Sequence, residues 1–352
     1  MRILITGIAG FVGTKMAEYC RSAWPDAYIV GIDNLSRKGA VTHIPLLKAM
    51  DCVWVKGDIS NRNDMEALPE VDWVIDCAAN PSVLAGRAND SLPLIQDNLI
   101  GTVYILEKCK RDKAGLILIS TSRVYSIATL NNLPLKNNGL AFTIDATRPL
   151  PPAITAMGVT EKCAVTAPIS LYGATKLASE VMALEYHHSF GFPVWINRCG
   201  VLAGAGQLGK IDQGIFSFWI YQYLLDRPLS FIGYGGTGMQ ARDMLHPEDL
   251  FKLIWQQIMH PITRAPQILN VGGGLCNTMS LAELDAYCKT HIDAEKKVNR
   301  IQENRPYDIP YYCTDYTLAK DTWGWEPKHL SITILDEILK YGRNHLDFIK
   351  TL

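Results

Sequence analysis

Tyr172 and Lys176 stand four residues apart in LYGATK, a spacing that puts both side chains on one face of a helix. A phenol ordinarily ionises near pH ~10, but an ammonium beside it favours the phenolate, so the pair can take a proton from an alcohol at neutral pH. Thr121 and Ser122, in LISTSRVY, offer two hydroxyls at the end of an apolar run, where one can hydrogen-bond the oxygen that is losing its proton. Y-x-x-x-K alone occurs by chance on helices as a packing and solvation pair. Its weight here comes from what precedes it in the chain.

The chain opens with MRILITGIAGFVG, which places Gly7, Gly10 and Gly13 where a first strand turns into a first helix. Such a turn lets backbone approach a pyrophosphate closely, and the helix N-terminus offers N–H groups and partial positive charge. The second apolar run ends at Asp33, 20 residues after Gly13, where a carboxylate can accept from both hydroxyls of an adenosine ribose and repel a 2′-phosphate. NAD is therefore the expected cofactor, rather than NADP. Arg37 and Lys38 read equally as a solvated turn or as adenosine-side contacts. Asp58 and Ile59 follow the third run as an adenine-edge partner and an apolar wall, or as an ordinary acidic turn. Ala78 and Ala79, in CAAN after the fourth run, are small enough to leave a dinucleotide room, and Asn98 can brace that loop or satisfy a nearby carbonyl.

Positioning these groups requires βαβ rhythm, and the sequence has it. Apolar runs at 2–6, 28–32, 52–55, 72–77, 115–120 and 194–197 alternate with helical periodicity at 11–22, 92–111 and 171–190. Runs that are apolar on both faces suit buried parallel strands. The expected fold class is α/β, a Rossmann-like doubly wound parallel sheet over residues 1–200, with a smaller, mixed substrate lobe over 201–352 that sends elements back to the first domain. Residues 126–170 interrupt the rhythm with Asn-Asn, Asn-Gly and Pro-Pro signals, a long excursion expected to carry small elements of its own and to cover something functional. Helices are expected near 212–226, as a core or interface helix too short to span a membrane, and near 247–259.

The 352 residues carry 34 basic and 35 acidic side chains, a net charge of −1, which gives no general pull toward nucleic acid or an anionic membrane. Nine cysteines without a C-x-x-C read as reduced thiols, so no metal site is expected among them, and the absence of an export signal points to the cytoplasm.

Taken together, these strings resemble the extended short-chain dehydrogenase/reductases, specifically their nucleotide-sugar epimerases and dehydratases, from Met1 to about Glu326. DNLSRKGA at 33–40, GDISNRND at 57–64, KIDQG at 210–214, QARDMLHPEDL at 240–250 and NVGGGLCNTMSLAEL at 270–284 are similar to the CDP-paratose 2-epimerase branch of that superfamily. CAAN stands where the family more usually has a His-containing string. Ser122 and Arg123 occupy the positions of the Asp-Glu pair that serves water elimination in the 4,6-dehydratases.

The resemblance implies catalytic roles for Thr121, Tyr172 and Lys176, and it extends the cofactor contacts to Phe11, Val12, Asn34, Ser36, Arg37 and Ser120. It implies substrate contacts from Ser122, Arg198, Gln207 and Gln213, and diphosphate contacts from Arg242 and Arg305, a role that suits a guanidinium. A domain-bridging salt link is the alternative for either arginine. The implied reaction is NAD-dependent inversion at C2 of a nucleotide-linked hexose, a CDP-sugar, through a transient keto sugar, in a homodimer or homotetramer. A 4-epimerase or net oxidoreductase acting on another nucleotide sugar, and a silent NAD-binding regulator, are the alternatives.

Overall fold

The computed structural model describes residues 1–210, 213–262 and 264–351. The chain divides into two compact units, one of residues 1–124, 171–198 and 250–269, the other of 125–170, 199–249 and 270–352.

The first unit is built on a sheet of seven strands: β1 (Arg2–Thr6), β2 (Tyr28–Asp33), β3 (Val53–Lys56), β4 (Trp73–Asp76), β5 (Gly115–Thr121), β6 (Val194–Cys199) and β7 (Ile268–Val271). Their order is β7-β6-β5-β4-β1-β2-β3. β1 pairs in parallel with β2 and β4, as do β2 with β3 and β4 with β5. Parallel strands need crossovers, and α1 (Phe11–Ala23), α2 (Gly101–Asp112) and α3 (Ser170–Phe190) are the helices that matter for the site. Leu4, Val30, Val74, Leu116 and Ile196 pack against Ile105, Leu106 and Cys109 of α2 and Ala183 of α3, while Ile3, Ile5, Met16 and Cys20 are equally buried. Burial on both faces is the reason the strands read as unbroken apolar runs.

One element differs from the sequence pattern. The helix expected over 92–111 has three parts: a turn at Leu92–Ile95, a wider π turn at Gln96–Ile100, and α2. Hydrophobic periodicity cannot register one extra residue in a turn, and such π turns recur at functional sites. The excursion forms the short helix Ile127–Asn131 and two hairpins, Leu135–Asn137 with Phe142–Ile144 and Ile154–Thr155 with Gly158–Val159. It belongs to the second unit, where the Phe142 N–H donates to Met239 O and the Val159 N–H to Cys313 O. Lys136, Phe142 and Thr143 of the excursion line a cavity of about 350 Å³ together with Ala241, Thr278 and Tyr311.

The second unit centres on a small sheet of Val201–Leu202, Ala241–Leu245, Thr278–Ser280 and Tyr311–Tyr312. Its core joins Phe216, Trp219 and Ile220 of helix Ile215–Leu224 to Ile334, Leu335 and Ile338 of helix Ser331–Asn344. The apolar 214–225 stretch is thus a core helix. None of the nine cysteines is in a disulfide and Cys276 alone is exposed; burial pushes the thiols of Cys20 and Cys109 up, which keeps them protonated and inert. Among the described residues no helix is long and apolar enough to cross a membrane.

Candidate active site

Chain direction along the sheet reverses between β1 and β4, the place where open α/β sheets bind ligands beyond the carboxyl ends of their strands. Gly7 leaves β1 there with φ +61°, and a Cβ on it would lie 2.9 Å from the Ala78 Cα. A Cβ on Gly13 would come within 2.1 Å of Gly7 O, so strand, turn and helix touch through backbone alone. No side chain caps α1 at Gly10, and no acidic residue sits in its first turn, which Phe11, Val12 and Gly13 form. A pyrophosphate fits such a helix start, since it needs unspent N–H groups and no competing carboxylate.

Asp33 closes one side of this turn. Its carboxylate accepts from the N–H groups of Ala9 (3.0 Å) and Leu35 (2.8 Å). Burial pushes its pKa up, against the opposing pull of the Leu35, Ala9 and Gly10 N–H groups. Asn34 donates to Asp58 at 2.9 Å and accepts from the Ser36 N–H, so Asn34, Ser36 and Asp58 form one network with Ser60; Arg37 lies in the turn that follows. Burial works to raise the Asp58 pKa, yet Asn34 and the two Ser60 donors hold it below the ordinary carboxylate range. Ile59 is buried, and a Cβ on Gly101 would meet it at 2.6 Å. Thr6 accepts from the N–H groups of Cys77 and Ala78, which pins the start of the loop carrying Ala79. These residues suit NAD, whose pyrophosphate carries two negative charges and whose adenosine ribose offers a diol.

The π turn explains Asn98. Its Oδ1 accepts from the Asn80 N–H at 2.7 Å, and its Nδ2 donates to Asn80 O and to Thr175 Oγ1, both at 3.1 Å. The amide therefore braces the loop after β4 and ties it to α3. Ser179 Oγ donates to Asn98 O at 3.0 Å, a second tie from the same helix.

Along α3, Tyr172, Lys176 and Glu180 follow at four-residue intervals and are 8%, 2% and 1% exposed. A solvated pair would stand in water; this one is inside. Glu180 accepts from Ser120 Oγ and from Arg198, whose Nε lies 3.1 Å from both carboxylate oxygens and whose Nη2 lies 2.6 Å from Oε2. Glu180 thus ties α3 to β6 by an ion pair and to β5 by the Ser120 hydrogen bond. Thr121, the last residue of β5, accepts from the Arg123 N–H at 3.1 Å, and Ser122 opens the 3₁₀ turn Ser122–Val124. Lys176 acts electrostatically on Asp76, the last residue of β4, whose carboxylate accepts from Thr6 Oγ1 at 2.6 Å. So Thr121, Tyr172, Lys176 and Asn98 all belong to the first unit, and the guanidinium of Arg198 is engaged there by Glu180. Sequence reasoning missed Glu180 and Asp76. The i+8 spacing from Tyr172 was a legible signal for the first, and a carboxylate closing an apolar strand for the second.

The remaining candidates lie in the second unit. Gln207 donates to Leu202 O (2.8 Å) and accepts from Ser217 Oγ (3.0 Å), and Gln213 exchanges backbone hydrogen bonds with Lys210; Ile211 and Asp212 of the KIDQG string lie outside the described residues. Arg242 donates to Ala241 O, Ile309 O (2.6 Å) and Asp308 Oδ1 (3.1 Å), and the Asp308 N–H in turn donates to Arg305 O. One turn thus carries Arg305 and holds Arg242. His246, Glu248 and His329 place one ligand atom each within 4.8 Å of the others, a grouping absent from the sequence reading. Their imidazoles stack at 4.0 Å, with Glu337 3.2 Å from His246 and Asp249 3.0 Å from His329.

Similarity to known proteins follows the same lines. The chain is 25% identical to the CDP-paratose 2-epimerase of Salmonella typhi over 93% of its own length and 95% of that protein's. It is 26% identical to the UDP-glucuronate 4-epimerase of Thermodesulfobacterium geofontis over 99% and 98%. In fold it resembles the Bacillus cereus UDP-glucuronic acid 4-epimerase, solved with NAD and UDP-4-deoxy-4-fluoro-glucuronic acid, at a TM-score of 0.80 and 23% identity, covering 98% and 99% of the two chains. Residues 3–272 match the NAD dependent epimerase/dehydratase family, and the chain belongs to it, as an NAD-dependent enzyme of the epimerase kind.

Proposed function

We propose that the protein inverts C2 of a nucleotide-diphosphate hexose, a CDP-sugar, through a transient keto sugar. The observation that carries the chemistry is the buried stripe of Tyr172 and Lys176 on α3, held by Glu180 beside the strand that ends at Thr121. The choice of sugar rests on similarity to CDP-paratose 2-epimerase along nearly the whole chain. NAD, when bound, supplies reversible two-electron oxidation of the carbinol carbon. It would be held by the Gly7–Gly13 turn, Asp33 and the loop at Ala78.

Tyr172 takes the proton from the sugar hydroxyl and hands it back once the carbon has been inverted. Lys176 keeps the phenol ionisable at neutral pH, and Thr121 orients the reacting oxygen through its hydroxyl. Ser122 is a second hydroxyl for that oxygen. Arg242 and Arg305 take the diphosphate as charge-assisted donors, which leaves the sugar free to turn over about an anchored linkage. The enzyme acts in the cytoplasm as a homodimer or homotetramer.

The test offers CDP-, UDP- and GDP-hexoses to the purified enzyme and locates the inverted carbon by NMR. Inversion at C2 of a CDP-hexose, with a C2 deuterium retained, is the expected result; loss of that deuterium to solvent overturns direct return. Inversion at C4 of a UDP-sugar favours the second reading, for which similarity to the UDP-glucuronate 4-epimerase over 99% of the chain speaks. Tyr172→Phe should lower kcat by roughly 10²–10⁴ and leave NAD bound. Unchanged turnover would remove Tyr172 from the reaction.

A further inference from the structure

Ala9 stands in the glycine turn, one residue before Gly10 opens α1, and it is gripped from two sides. Its N–H donates to Asp33 Oδ2 at 3.0 Å, and its carbonyl oxygen lies 2.8 Å from His43 Nδ1. A carbonyl can only accept, so the His43 ring must carry its proton on Nδ1 and donate it there. Both partners come from one stretch of chain. Asp33 ends β2, and His43 ends the 3₁₀ turn Ala40–His43, which Gly39 enters with φ +89°. Two further bonds close that turn on itself, from the Ala40 N–H to Arg37 O and from the Thr42 N–H to Gly39 O, both at 3.0 Å. Directly after it, the short helix Ile44–Ala49 buries Ile44 and Leu47, so the backbone that carries the imidazole is anchored in the core. Ala9 is itself fully buried.

We propose that His43 is a positioning residue for the dinucleotide, whose Nδ1–H fixes the Ala9–Gly10 peptide so that the start of α1 offers N–H groups, and no carbonyl, to a pyrophosphate. The oxygen of Ala9 and the N–H of Gly10 belong to one planar trans peptide and point opposite ways. Both ends are held. His43 donates to the oxygen, and the Gly10 N–H donates to Gly7 O at 2.9 Å. Turned over, the same peptide would exchange the places of its oxygen and its N–H, and an oxygen facing the helix start opposes the anion that a helix N-terminus attracts. The bond from His43 also closes residues 34–42, and with them Asn34, Ser36 and Arg37, onto the glycine turn. Asp33 and His43 therefore clamp the turn from the two ends of that segment. His43 acts through the backbone of Ala9, and the glycine pattern that marks the turn in the sequence gives no sign of it.

This inference needs NAD at the glycine turn and is independent of which sugar carbon is inverted, so it stands or falls apart from the proposed reaction. Two substitutions test it. Asparagine can place an Nδ2–H where the imidazole has its Nδ1–H, whereas leucine has similar size and no donor. NADH affinity, read from the fluorescence of the bound nicotinamide, should weaken roughly tenfold in His43→Leu, with NAD lost correspondingly faster from the purified holoenzyme on dialysis. His43→Asn should restore most of both. A role in packing alone would lower the thermal unfolding midpoint of His43→Leu equally with and without added NADH and leave its affinity unmoved, which overturns the proposal. Equal weakening by asparagine and leucine overturns it too, because the N–H would then not be what matters. Should His43→Leu fail to fold, His43→Ala, compared with His43→Asn in the same way, carries the same expectation.

Discussion

Glu180 with Arg198 in the first unit and Arg242 with Asp308 in the second are both arginine–carboxylate pairs, yet they do different work. The first is sealed, with side chains 1% and 5% exposed, and the arginine meets both carboxylate oxygens. The second is open to 14% and 17%, and two backbone carbonyls share the arginine. A sealed pair joins secondary-structure elements and cannot let go without leaving a charge stranded in the core. An open pair, whose cation already divides itself among several acceptors, can exchange one of them for an incoming anion. The contrast predicts where substitution hurts stability and where it alters binding.

The largest effect belongs to Glu180→Ala. Arg198 would lose the carboxylate that its Nε and Nη2 meet in the core, and Ser120 would lose its acceptor, at a cost of about 3–5 kcal/mol. Glu180→Gln should cost less, because its amide oxygen still accepts from Ser120. Urea denaturation of the two variants against wild type gives the ranking; a loss below about 1 kcal/mol for Glu180→Ala would dissolve the distinction between the pairs.

The Lys108–Asp112 pair on α2 offers an intermediate case, with side chains 1% and 2% exposed. Burial alone would raise the Asp112 carboxyl, but Lys108 and Arg111 hold it below the usual range. Its folded pKa therefore lies under the unfolded value of about 4. The sign follows: the folded state binds fewer protons, so the stabilisation is complete above that value and disappears as pH falls through the folded pKa. At pH 7, Asp112→Asn should cost about 1–3 kcal/mol. The gap between wild type and variant should close as acid protonates Asp112, which denaturation midpoints taken from pH 6 downward would follow; a gap that stays constant would show that Asp112 is not ionised in the folded protein.

How much of this was legible depends on how far apart in sequence the partners lie. The glycine turn, Asp33 and the Tyr172–Lys176 spacing are local patterns, and the strands between them announce themselves because both faces are buried. Glu180 shares a helix with Tyr172, yet its meaning depends on Ser120 and Arg198, from two other strands, and periodicity carries no information about which strands become neighbours. The resemblance implies a substrate contact for Arg198, whose guanidinium Glu180 engages, and nothing local in the sequence announces that partner. The π turn escaped for a related reason: Asn98 sits in a run whose apolar positions fit an ordinary helix, and one extra residue per turn shifts the pattern too little to notice. The excursion's membership of the second unit depends on Phe142 meeting Met239, a contact made nearly a hundred residues away.

The smallest stability effect is expected at Asp308, where the comparison is sharpest. Asp308→Asn keeps an oxygen for Arg242 and for the Ile309 N–H, which both use Oδ1, and removes only the charge. Stability should change by less than about 1 kcal/mol, the range of a partly solvated pair. Binding should respond more clearly. Arg242 retains Ala241 O and Ile309 O as anchors, so its guanidinium stays in place while the competing anion is gone, and CDP, probed alone by calorimetry, should bind roughly three- to tenfold more tightly. Weaker CDP binding would mean that the carboxylate holds Arg242 in its binding pose, and the open pair would then be as structural as the sealed one.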